Sequence, residues 1–67
     1  MPETFTDRDK ADEAKREVAM RRRVYPRWVQ DGRMKQADAD RKIAVMEAIA
    51  ADYRERAETE EQKGRLL

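Results

Sequence analysis

From Ala39 onward the apolar residues follow steps of four and three: Ala39, Ile43, Met46, Ala50, Tyr53 and Ala57, with Ile49 alongside. An α-helix turns about 100° per residue, so this spacing keeps all of them on one narrow side. It is also the heptad rhythm by which packed helices meet. The same rhythm runs earlier through Ala11, Ala14, Val18, Tyr25 and Val29, with Val24 and Trp28 beside them. Asp31 and Gly32 separate the two stripes, and a glycine there accepts the left-handed conformation that ends many helices. The chain is therefore expected to be all-α: a helical hairpin of two amphipathic helices, over about residues 7–30 and from residue 35–37 to about residue 60, with its turn at Gly32. Pro26 falls inside the first helix. An interior proline removes one helix bond and costs roughly 3 kcal/mol. The stripe keeps its phase across it, which predicts a helix kinked near Pro26 rather than one that stops and restarts.

A chain of 67 residues is one domain at most. A domain of that size sits near the stability limit unless a disulfide, a metal or a partner helps it. The chain has no cysteine and no histidine. Self-association is thus the expected way for the hairpin to complete its core, with a dimer as the first expectation. Charged residues make up 46% of the chain and nearly cancel, leaving a net +1. They are unevenly placed: Arg21, Arg22, Arg23, Arg27, Arg33 and Lys35 face only Asp31 over residues 21–35, a basic elbow between two mildly acidic arms. Residues 1–7 read as a flexible tail in which Thr6 or Asp7 caps the first helix. Residues 8–60 form the hairpin domain. The stripe fades after Thr59 and Gly64 follows, so residues 61–67 read as a flexible end. Four-residue spacing predicts the helix-surface ion pairs Glu17–Arg21, Asp38–Lys42, Asp52–Arg56, Arg54–Glu58 and Arg56–Glu60.

The residues offer little for catalysis. There is no serine, and threonine occurs only at Thr4, Thr6 and Thr59. Asp38, Asp40 and Glu47 would hold a hard metal weakly at best. No enzyme, cofactor or metal site is expected. The longest apolar run is far too short to span a bilayer, no secretory signal is read at the start, and the expected compartment is the cytoplasm (the host cytoplasm if phage-encoded). The informative stretch is Arg21-Arg22-Arg23-Val24-Tyr25-Pro26-Arg27-Trp28. One reading has its arginines on phosphates and its aromatics stacked on bases. The other puts Tyr25 and Trp28 in the core, since both lie on the apolar stripe. Arg21 also lies on that stripe, where it needs a partner: Glu17 or an acid of the second helix. The candidate partner-binding set is Arg22, Arg23, Arg27, Trp28 and Arg33. The candidate seam, for the core or for self-association, is Val18, Tyr25, Ile43, Met46, Ala50 and Tyr53.

Beyond the periodicity, the motifs Val24-Tyr25-Pro26, Gly32-Arg33-Met34 and Ala39-Asp40-Arg41, with Ile43, Met46-Glu47-Ala48-Ile49 and Asp52-Tyr53 following, are distinctive together. Over about residues 17–54 the chain resembles a group of small helical proteins, mostly without an assigned activity, encoded by tailed phages and prophages of proteobacteria. Members of that group often carry threonine or serine where Lys35 stands. The resemblance implies a phage setting; it implies no enzymatic activity and transfers no binding residues. The expected function is a non-enzymatic interaction protein that binds and modulates another protein, of host or phage, through a helical surface. The alternatives are a nucleic-acid accessory protein using the elbow, and a small structural piece of the virion.

Overall fold

The computed structural model describes residues 4–66. Two antiparallel helices account for nearly all of them: α1, Asp7–Gln30, and α2, Gln36–Leu66. Each boundary has a local cause. Thr6 caps α1 through a reciprocal pair of bonds: the Asp9 backbone N–H donates to Thr6 Oγ1 (3.0 Å), and the Thr6 N–H donates to the Asp9 carboxylate (3.1 Å). This is a capping box with aspartate in the third helical position. At the other end Gly32 takes φ +77°. Its N–H donates to Val29 O (3.0 Å) and the Arg33 N–H donates to Trp28 O (2.8 Å), so two carbonyls of the last turn are satisfied by a Schellman turn. Helix α1 runs unbroken through Pro26. Pro26 removes the N–H that would bond the Arg22 carbonyl, and both residues are exposed. Lys35 precedes α2 and its carbonyl accepts from the Ala39 N–H (3.0 Å).

The expected end of the second helix near Glu60 is corrected. Helix α2 continues through Gly64 to Leu66. Apolar periodicity is not required there, because residues 60–63 are good helix formers and Lys63 and Arg65 suit the negative end of the helix dipole. A long-range tie adds to this: Arg8 Nε and Nη2 donate to the two carboxylate oxygens of Glu61 at 3.0 and 2.9 Å, clamping the start of α1 to the last turns of α2. Asp7, expected in the tail, is already helical. Residues 1–3 of that tail and Leu67 lie outside the described residues.

The two helices form one flat layer, 53 × 28 × 14 Å. Its radius of gyration is 15.5 Å, against about 11 Å for a compact domain of this length. The buried core is small: Ala11 and Ala14 from α1, Ala39 and Ala57 from α2, and Tyr25. Val18, Ile43, Met46, Ala50 and Tyr53 are half-buried, as are Val24, Trp28 and Met34. Alanines at both ends of the seam let the backbones approach closely. The accessible surface is 5895 Å², whereas a compact monomer of 8.0 kDa would expose about 4,450 Å².

Candidate functional site

The arginines of the elbow divide into two sets. Arg21 lies on the seam, and its side chain is 23% exposed. Its Nε donates to Glu17 Oε1 (2.9 Å), its Nη1 donates to the Lys42 carbonyl of α2 (2.9 Å), and its guanidinium lies 5.9 Å from the Tyr25 ring centre. The partner across the hairpin is thus a backbone carbonyl, not an acid of the second helix. Arg21 joins the two helices in a place where an apolar side chain would be ordinary. Arg22, one of the candidate partner-binding residues, donates from Nη2 to Glu47 Oε2 of α2 at 2.6 Å. Its charge is engaged within the chain, although the side chain remains largely exposed.

Arg23, Arg27 and Arg33 are exposed. Among the described residues none of the three has an acidic partner within ion-pair distance. The Arg33 guanidinium sits 5.9 Å from the Trp28 ring centre, and Trp28 in turn stacks on Tyr25 with ring centres 5.5 Å apart. Arg33 and Trp28 are the two residues that a Schellman turn brings together, a contact more often made by two apolar side chains. Here a cation–π contact replaces it, and the turn holds Arg33 in place while its charge stays in water. Tyr25 is buried at 9% exposure and Trp28 is half-buried. Neither presents an open ring face of the kind on which bases stack.

The surface ion pairs predicted from spacing need correction. Glu17–Arg21 forms; Asp38–Lys42, Asp52–Arg56, Arg54–Glu58 and Arg56–Glu60 do not close to 4 Å. Exposed pairs gain little over hydration, so spacing alone does not fix them. Arg56 instead lies 5.3 Å from the Tyr53 ring centre, with Lys10 of α1 also over that ring at 5.5 Å. The tie that sequence reading missed, Arg8–Glu61, joins residues 53 apart and has no local signal. It holds the Glu61 carboxyl below its ordinary pKa, through the hydrogen bond from Arg8, and raises that of Arg8 for the same reason. Beside it, Phe5, Ala57 and Glu60 line an open hollow of about 410 Å³ in which Phe5 remains 59% exposed. Among the described residues no three acidic side chains converge as a metal ion requires, and no helix is long and apolar enough to cross a membrane.

Comparison with protein-family models, with curated proteins and with solved structures finds no match to this chain.

Proposed function

We propose that the chain is a non-enzymatic interaction protein, in the phage or prophage setting its resemblance implies, that binds and modulates another protein through the turn end of the hairpin. The observation that carries this is the division of the arginines. Arg21 and Arg22 are spent on holding the hairpin, whereas Arg23, Arg27 and Arg33 stand exposed around the turn, the last fixed against Trp28. The partner that suits them is an acidic protein surface, met by charge-assisted hydrogen bonds. Burial of Tyr25 weighs for a protein partner over single-stranded nucleic acid, because base stacking needs exposed rings.

The test is affinity capture from host lysate, comparing the natural chain with an Arg23/Arg27/Arg33 triple alanine variant. A specific protein retained by the first and lost by the second, with circular dichroism unchanged, is the expected result. Equal capture by both overturns the assignment of the turn end. Binding of DNA or RNA by the natural chain that falls steeply with salt and depends on the same arginines replaces the protein partner with a nucleic acid.

A further inference from the structure

Helix α1 carries a second periodic stripe, a polar one. Asp9, Glu13, Arg16, Met20, Arg23 and Arg27 follow steps of four and three, and all six are exposed. The last five each lie two positions after a residue of the seam (Ala11, Ala14, Val18, Arg21 and Tyr25), which is about 200° round the helix. The stripe is therefore the outer edge of the layer, turned away from α2. Met20 is 40% exposed near its centre. Glu13, Arg16, Glu17, Ala19, Met20 and Arg23 line one shallow hollow of about 450 Å³ there. Among the described residues Arg23 and Arg27 have no acidic partner within ion-pair distance, and Glu13 meets only Arg16, at 3.4 Å with both side chains in water.

We propose that this edge pairs with the same edge of a second copy of the chain, antiparallel, about a two-fold axis at the level of Val18. The inference rests on the reading above, that Arg23 and Arg27 meet acidic side chains, and adds a second copy as their competing occupant. What selects a second copy is the order of residues along the stripe: acid, acid, base, methionine, base, base. Position 18 is the midpoint of Asp9 and Arg27, of Glu13 and Arg23, and of Arg16 and Met20. A two-fold axis there sets both acids of the stripe opposite arginines of the other copy, and sets Met20 against the stem of the other copy's Arg16. Every pair occurs twice, as a self-complementary contact requires. The four-and-three rhythm is the one by which helices meet side by side. A parallel arrangement would put acid on acid and arginine on arginine. Asp9 keeps its capping bond, in which one carboxylate oxygen accepts from the Thr6 N–H, and offers Arg27 the other oxygen. From Asp9 to Arg27 the stripe is about 27 Å long and one helix wide, less than a standard stable interface takes. Its ion pairs stay in contact with water, so the dimer is weak and broken by salt. Two hairpins then lie edge to edge in one layer. Self-pairing and partner binding exclude one another at Arg23 and Arg27, and Arg33 stays outside the contact.

The closing experiment is sedimentation equilibrium at low salt and about 1 mM protein. It compares the natural chain with Glu13→Arg, with Arg23→Glu, with the double exchange Glu13→Arg/Arg23→Glu, and with Glu55→Arg, which makes the same charge change at an exposed position of α2. The expected result is a dimer for the natural chain and for Glu55→Arg. Either single exchange on the stripe raises the dissociation constant at least about tenfold, and the double exchange restores it to within about threefold. All the positions are exposed in the single hairpin, so the fold is expected to stay in place, and circular dichroism checks this. A natural chain that stays monomeric, single exchanges that dimerise as well as the natural chain, a double exchange that is not restored, or a Glu55→Arg variant weakened as much as Glu13→Arg overturns the proposal. A monomeric natural chain whose capture of a lysate protein still depends on the turn arginines fails this inference alone. A dimer restored by the double exchange, with capture unaffected by the arginine substitutions, fails the proposed function alone.

Discussion

Arg21 and the two glycines show how single positions decide local stability. Arg21 is held at both ends of its guanidinium, by Glu17 and by the Lys42 carbonyl, and its side chain is largely buried at the seam position. Arg21→Ala removes both and is expected to cost about 1–2 kcal/mol in urea unfolding. Arg21→Met keeps the stem and should cost clearly less, since packing is part of what the arginine supplies. Equal stability of the natural chain and the alanine variant would mean that water replaces the guanidinium at no cost. The glycines should respond in opposite directions. Gly32 sits at φ +77° with open space around it, so Gly32→Ala carries a purely backbone penalty of about 1–2 kcal/mol. Gly64 lies inside α2 and is also uncrowded, and Gly64→Ala should raise helix content and add roughly 0.5 kcal/mol or slightly more. Far-ultraviolet circular dichroism with urea titration reads both.

At the scale of the elements, the ends of the hairpin are tied differently. The turn end is closed by covalent continuity and backbone hydrogen bonds. The open end relies on Arg8 and Glu61. Glu61 has its pKa lowered in the folded state, so the tie contributes at pH values above the ordinary carboxylate pKa and is lost as pH falls through the lowered value. Arg8 stays protonated throughout. The last turns of α2 should therefore fray on acidification before the turn end does, and Arg8→Gln should reproduce that fraying at neutral pH. Amide hydrogen exchange by NMR at residues 58–65, set against residues 36–45, measures it. Uniform protection of the two regions at low pH would assign the helix extension to local propensity alone.

Seen whole, the molecule is a layer one helix thick with a core of four alanines and one tyrosine. A single hairpin of this kind buries too little apolar surface to be robust by itself. If the hairpin completes its core by pairing with a second copy, unfolding is linked to dissociation. The urea midpoint should then rise as protein concentration is raised over roughly a hundredfold range. A midpoint independent of concentration would show that the flat hairpin is stable alone.

The two helices, their turn and their seam were legible in the residues alone, apart from the end of α2. Those features rest on local chemistry: the three-and-four spacing of Ala39 to Ala57 and the positive φ that glycine accepts at position 32; the cap of α1 was narrowed to Thr6 or Asp7, and the structure shows Thr6. Of the expected kinked helix, the continuation of α1 through Pro26 is what the structure shows, and it was legible from the unbroken phase of Tyr25, Trp28 and Val29. How the charges are used became visible only once the two helices were packed. Arg21, Arg22 and Arg23 are adjacent and chemically identical, yet one binds a carbonyl across the hairpin, one an opposing glutamate, and one faces water. A 100° turn per residue sends them in three directions, and the antiparallel register fixes what each one meets. The continuation of α2 beyond Glu60 is of this kind only in part: residues 60–63 are good helix formers by themselves, and the tie that adds to them comes from Arg8, 53 residues away in the chain.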